Sequence, residues 1–295
     1  MSATETHLPT CYRHPDRETG LACSECGRPI CTECMTPAPV GLRCPDHAGS
    51  ARRSGPRVGG RQIVVPRTPL RGTEALVTKV LIAVNVGIYL ITAVQGAGLN
   101  APGGSLWTKM ILWGPFLKHN GDWWRLITAA FLHASILHIA FNMLALWWIG
   151  APVENYLGRT RYLGLYLAGG LAGSAGALVN SPTIPVVGAS GAIFAILGAM
   201  LILEWQATGR LGGNALTLIV LNLALNFAFN GAGGNISIGG HIGGLIGGIV
   251  ATLAFARWGK GHAAYGKLGL AGIAGLVGVA AVSVAIAYWK VRGLA

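Results

Sequence analysis

Beyond residue 74 the chain is dominated by long apolar runs separated by short polar breaks. A membrane-crossing helix needs about 20 predominantly apolar residues. Seven runs meet that length, at roughly 75–95, 130–150, 161–180, 187–205, 211–230, 236–257 and 267–289. This pattern predicts an all-α polytopic membrane protein. The first 48 residues are polar, and residues 49–73 are Arg, Gly and Pro with little to bury, which predicts a basic flexible linker. About 35 residues lie between the first two runs, among them Trp107, Trp113, Pro115, Trp123 and Trp124. Tryptophan at that density suits a membrane–water interface, so this connection is expected to lie partly embedded on the outer side.

Composition agrees. Of 295 residues, 52% are hydrophobic, 11% are charged and 45 are glycine, against about 25% charged and about 7% glycine in a soluble domain. That excludes a soluble globular enzyme, a disordered chain and a coiled coil, and the glycines follow no collagen period. Glycine in apolar helices lets backbones approach closely in lipid.

Charge sets the expected orientation. Arg52, Arg53, Arg57, Arg61, Arg67 and Arg71 lie just ahead of the first apolar run. The positive-inside rule then puts the N-terminus in the cytoplasm, where anionic headgroups attract these arginines. With that start, Arg159, Arg161, Arg210, Arg257, Lys260 and Lys267 also fall inside, and the third-to-fourth and fifth-to-sixth connections carry no Lys or Arg. No aromatic platform accompanies the arginines, so nucleic acid is not the expected partner. Met1 to Thr10 is polar and no signal-peptide core follows it. The expected location is the cell membrane, with multiple passes.

All six cysteines lie in the first 44 residues, as Cys11-x-x-His14, Cys23-x-x-Cys26, Cys31-x-x-Cys34 and Cys44-x-x-His47. Eight ligands in four such pairs suffice for two tetrahedral Zn²⁺ sites. Disulfides would leave the two histidines unexplained and do not suit a cytoplasmic location. The pairing stays open: a cross-brace joins the first pair with the third and the second with the fourth, but Cys26 and Cys31 are near enough for the middle pairs to share an ion. Four-ligand sites are closed, so the expected role is structural. The segment is either a docking module for a cytoplasmic protein or a cap without a partner. It resembles the B-box type of zinc finger, which is cross-braced.

Polar side chains within apolar spans are costly and point to function. The second run places His133, His138 and Asn142 in its first half, the fourth carries Ser190 one turn in, and the sixth carries His241 near its start. These three spans run in the same direction, and His138 and Asn142 share a helix face. Ser190, His241, His138 and Asn142 are therefore expected to converge below the outer surface, bringing together a nucleophile, a base and two donors. Taken singly, each has a structural explanation: a serine bonding back one turn, a histidine or asparagine joining helices. Their coincidence in depth and chemistry favours the site. His133 is expected to bond to the long first connection. Asn222, Asn226 and Asn230 form a four-residue stripe on the fifth run, expected to pack helices together rather than gate substrate.

Over about residues 76–258 the chain resembles the rhomboid family of intramembrane serine proteases. The resemblance is carried by Trp124-Arg125, His133-x-x-x-x-His138-x-x-x-Asn142, Gly150-x-x-x-Glu154, Gly188-Ala189-Ser190-Gly191 and His241-x-x-Gly244-x-x-x-Gly248. It implies a six-helix core, to which the sequence adds a C-terminal seventh helix and, from the Cys/His pairs, a small N-terminal zinc-binding domain. The expected boundaries are 1–48, 49–73, 74–258 and 259–295. It further implies that Ser190 attacks the scissile carbonyl, that His241 takes its proton, and that His138, Asn142 and the Ser190 backbone N–H hold the oxyanion. Trp124 and Arg125 would position the embedded loop. Substrates would be transmembrane segments entering from the bilayer, the site would open outward, and catalysis would need no cofactor. Phe194 stands where some bacterial members have Tyr, so a ring under His241 is expected without the hydroxyl. The alternatives are a non-catalytic rhomboid-like binder of transmembrane clients and a transporter; the latter would want inverted repeats of broken helices.

Overall fold

The computed structural model describes residues 8–37, 41–48, 75–231, 236–257 and 268–294. The linker expected over 49–73 and the connection 258–267 lie outside the described residues. The chain divides into two units, Met1–Leu70 and Arg71–Ala295.

The described residues of the first unit form short elements. Strand β1 (Thr10–Cys11) pairs antiparallel with β2 (His14–Glu18), β3 (Thr36–Pro37) pairs antiparallel with β4 (Leu42–Arg43), and α1 spans Pro45–Ala48. Ladders this short do not hold themselves in water. The interior consists of five buried cysteines and Ile30, with Tyr12, Leu21, Met35 and Leu42 packed around them. Asp46 ties α1 to the start of the unit: its carboxylate accepts from Tyr12 Oη at 3.0 Å, Arg13 Nη2 at 2.6 Å and Arg28 Nη1 at 3.1 Å.

The second unit is helical. Among the described residues, six helices or joined helices are long and apolar enough to cross a membrane, which supports a multi-pass membrane protein. They are α2 (Leu76–Gln95), the joined α6 (Ile136–Ala145) and α7 (Ala151–Leu157), α8 (Arg159–Asn180), α9 (Ser190–Thr208), α11 (Ile238–Phe255) and α12 (Leu270–Arg292). The fifth apolar run folds as α10 (Asn214–Gly231), as long as α11, with its apolar stretch given by Asn214–Ala228.

The second run departs most from expectation. Ser135 caps the helix, its side chain accepting from His138 N, so α6 starts at Ile136 rather than near residue 130. Residues Ala129–Phe131 form a 3₁₀ turn, and His133 stands before the helix, not within it. One π turn, Leu146–Gly150, joins α6 to α7. It precedes Pro152, which has no N–H for the carbonyl one turn back.

Helix α9 is apolar on every face, and such a helix belongs inside. It is buried continuously from Ala192 to Ala199, packed by α8 and α11. Glycine on α11 sets the spacing. A Cβ on Gly244 would fall on the Gly191 carbonyl, and one on Gly248 on the Ala195 backbone, both in α9. Gly239 and Gly243 meet the backbone of Gly176 and Ala172 in α8 in the same way. α11 therefore has two glycine faces. Gly240, four residues before Gly244, lies against the Ser237 cap and Gly173 of α8 rather than against α9.

The long first connection is folded and holds the segment entering α9. It contains α3 (Gly104–Met110), α4 (Gly114–Asn120) and α5 (Arg125–Thr128). Arg125 is buried: it donates to Asp122 Oδ2 at 2.9 and 2.7 Å and to the carbonyls of Thr108 and Ile111 at 2.5 and 3.0 Å. Leu112 and Val186 exchange both backbone bonds, Trp113 Nε1 donates to Thr183 O at 2.8 Å, and Gly188 N donates to Ala129 O at 3.0 Å. In the first turn of α7, buried Glu154 caps α2 by accepting from Val77 N at 3.0 Å and from Thr78 N and Oγ1 at 2.8 Å.

Candidate active site

Ser190 is the first residue of α9, not one turn inside it. Its N–H is thus among those that no helical carbonyl reaches. Ala189 precedes it and offers no capping side chain, so the start of α9 stays open to an anion where Ser, Thr, Asp or Asn would usually close it.

His241 lies in the first turn of α11, which is capped by Ser237 through a bond from Gly240 N at 3.2 Å. Its Nε2 is 2.8 Å from Ser190 Oγ. The close approach at Gly244 makes this reach available to two short side chains on neighbouring helices. Phe194, one turn beyond Ser190, stacks on the imidazole with centroids 4.3 Å apart and planes 10° from parallel. On the other ring nitrogen, the Asn226 side-chain amide lies 2.6 Å from Nδ1. Serine and histidine from separate spans therefore meet in a buried setting, with His241 only 5% exposed.

His138 comes to the same place. Gly188 has φ +126°, a backbone region open to glycine. A Cβ there would stand 2.8 Å from His138 Nε2 and 3.8 Å from Ser190 Oγ, so any other residue would displace His138. The His138 Nδ1 accepts from Ala134 N at 3.4 Å, which leaves the ring proton on Nε2, the nitrogen facing Gly188. Asn142, one turn on, donates from Nδ2 to His138 O at 2.9 Å. An amide nitrogen carries two hydrogens, so this bond orients the group without exhausting it.

Two expectations change. The bond from His133 to the long connection is not found: its ring is buried and stands edge-on to His138 at 5.1 Å. The asparagine stripe divides three ways. Asn222 is exposed, Asn226 meets His241, and Asn230 exchanges two 2.7 Å bonds with the Ile236 backbone. The ring partner Asn226 was visible in the sequence only as one of a regular series, since nothing local separates it from its neighbours. Gly188 was legible in its motif, but not its clearance for His138.

In the first unit the eight expected ligands form two clusters, Cys11, His14, Cys31 and Cys34, and Cys23, Cys26, Cys44 and His47. This is the cross-braced pairing. Tetrahedral bonds of about 2.3 Å to sulfur and about 2.0 Å to nitrogen set ligand atoms about 3.5–3.8 Å apart. Here His14 Nδ1 is 3.4 Å from Cys31 Sγ and from Cys34 Sγ and 3.9 Å from Cys11 Sγ; His47 Nδ1 is 3.1 Å from Cys44 Sγ, and Cys26 Sγ is 3.9 Å from Cys44 Sγ. The donor sets fit such an ion. Burial pushes the Cys11 thiol up, yet backbone N–H groups of Arg13 and Cys31 and the His14 ring outweigh it and hold it down to about 6. Cys34 moves the other way, to about 11, through burial and its cysteine neighbours. A thiolate at the first position favours a cation in this cluster.

Residues 120–258 match the model of the Rhomboid domain. The chain is 35% identical over 176 residues to Rhomboid protease GluP of Bacillus subtilis, an alignment covering 55% of this chain and 33% of that protein. It is 31% identical over 141 residues to RHOMBOID-like protein 7 of Arabidopsis thaliana, covering 46% and 45%, and 38% identical over 86 residues to human Rhomboid-related protein 3, covering 28% and 21%. The chain thus spans less than half the length of each of these relatives. The domain match falls on the helices that carry Ser190 and His241, and with relatives named as rhomboid proteases it supports the rhomboid family for this chain.

Proposed function

We propose that this chain is an intramembrane serine endopeptidase of the rhomboid type, cleaving transmembrane segments of other proteins with a Ser190–His241 dyad. The observation that carries the reading is the 2.8 Å approach of His241 Nε2 to Ser190 Oγ across two helices. In the first step Ser190 Oγ bonds to the scissile carbonyl carbon as its proton passes to Nε2. The carbonyl electron pair moves onto oxygen, and His138, Asn142 and the Ser190 N–H hold that oxyanion. Removing one such donor typically lowers the rate about 10²–10³-fold. Collapse breaks the C–N bond, the imidazolium protonates the leaving amine, and water then repeats the sequence to release the acid.

The substrate is a transmembrane helix entering from the bilayer. Its carbonyls are held in helical bonds, so helix-weakening Gly or Pro near the cut favours cleavage. Trp124 and Arg125 position the embedded loop. The N-terminus is cytoplasmic and the site opens to the outer side. The domains are those read from the sequence: a zinc-binding domain of the B-box type at 1–48, the linker 49–73, the protease core 74–258 and the added helix at 259–295. Two Zn²⁺ ions would be held by the two Cys/His clusters, where each supplies folding energy and no catalysis. The zinc domain would dock a cytoplasmic protein.

The test uses the purified full chain in liposomes with a model transmembrane substrate. Ser190→Ala and His241→Ala should each lower cleavage on the order of 10⁴-fold or more, and a fluorophosphonate probe should label the parent but not Ser190→Ala. Cleavage by Ser190→Ala at the parent rate ends this reading. No cleavage by either, over several substrates and lipids, turns it into a binder of transmembrane clients.

A further inference from the structure

We infer that Asn226 sets the tautomer of His241 and stabilises its protonated form, a positioning role that rests on the dyad reading above. Neutral imidazole has one N–H and one bare nitrogen. Nε2 faces Ser190 Oγ at 2.8 Å and must be bare to take the serine proton. The ring hydrogen then sits on Nδ1, and the group beside it is the Asn226 amide, whose Nδ2 stands 2.6 Å from Nδ1. Both residues are buried, Asn226 to 6% exposure and His241 to 5%, so no bulk water substitutes for that contact.

The amide has an accepting end and a donating end. With Nδ2 toward the ring, as the structure places it, Nδ1 is bare, the hydrogen lies on Nε2, and the imidazole donates to the serine it should deprotonate. With Oδ1 toward the ring, Nδ1–H is held and Nε2 is free to accept. The two arrangements differ by a half turn of the terminal torsion, which is broad and roughly two-fold. Only the second serves the next step. Once Nε2 has gained the proton, both ring nitrogens donate, and an accepting oxygen at Nδ1 stabilises the imidazolium. This is the part a carboxylate plays in a Ser–His–Asp triad, played here by a neutral group that does not bring a charge into an apolar bundle.

The surroundings hold Asn226 to this task. One turn further along α10, Asn230 exchanges two 2.7 Å bonds with the backbone of Ile236. Ile236 lies two residues ahead of the first residue of α11. That clasp fixes the end of α10 against the start of α11, where His241 sits.

The test compares the parent with Asn226→Leu, which keeps volume and removes both polar ends, and Asn226→Asp, which keeps an acceptor. The full chain is assayed in liposomes with a model transmembrane substrate, with Ser190→Ala alongside. The Leu variant should lower kcat about tenfold, the worth of one hydrogen bond, with KM unchanged, and the Asp variant should recover most of that loss. The ring is followed by ¹⁵N NMR of histidine-labelled protein: His241 should carry its hydrogen on Nδ1 in the parent and shift toward Nε2 in the Leu variant. An unchanged kcat in the Leu variant, an Asp variant as slow as Leu, or a tautomer that does not move overturns the inference. Cleavage by Ser190→Ala at the parent rate instead removes the dyad itself, and the NMR result still decides whether Asn226 orders the ring.

Discussion

The N-terminal unit and the helical unit reach a fixed structure from opposite resources. In the first, strands of two to five residues surround an interior made of cysteine side chains and Ile30. In the second, α9 alone buries a continuous stretch from Ala192 to Ala199, and α11 lies against both neighbours through glycine. The first unit gathers eight ligand atoms into two clusters that could each hold a metal ion. The second distributes its stability over backbone surfaces with almost nothing between them. One fails when a few atoms are taken away, the other when a few atoms are added.

The largest effect expected from this contrast is metal removal. Structural zinc contributes apparent free energies of about 10–16 kcal/mol in small zinc domains. A strong chelator should therefore abolish the dispersed amide NMR signals of residues 8–48 while substrate cleavage continues. Metal analysis should find two zinc ions per parent chain and at least one fewer in Cys31→Ser. Parent protein that stays folded through chelation would break the contrast at its first half.

The addition experiment comes next. Gly244→Leu forces a side chain onto the Gly191 carbonyl, which is backbone and cannot swing aside. Displacing Ser190 from His241 by about 1 Å is enough to cost on the order of 10² in rate. Cleavage should be lost while zinc content stays at the parent value. Full activity in this variant would falsify the packing account.

A smaller effect sharpens the same comparison inside the helical unit. Glu154→Gln keeps one acceptor for the start of α2 and loses the charge and the second oxygen. It should lower the stability of the helices by about 1–3 kcal/mol, read as an earlier thermal transition in detergent with no change in zinc content. An unchanged transition would mean that α2 is held by apolar contacts alone.

Much of this was legible because apolar length and ligand spacing are local properties of a sequence. The seven apolar runs each contain a helix, and the four Cys/His pairs reappear as the two clusters. Ser190 and His241 were readable because a polar group in an apolar run stands out. What escaped depends on neighbours. Ser135 stops α6 from beginning earlier, and only the hydrogen bond to His138 N identifies it as the cap. The second glycine face of α11 needs the position of α8, which no period in α11 reveals. Asn226 differs from Asn222 and Asn230 only in what lies opposite it. Which pairs share a cluster was likewise a matter of three-dimensional closure, open from spacing alone.

The cap that Glu154 places on α2 has a consequence for biosynthesis. Its partners, Val77 and Thr78, precede it by 77 and 76 residues, so α2 is made well before the carboxylate that finishes its first turn. The cap therefore cannot form until the chain has been made through Glu154, in the first turn of α7.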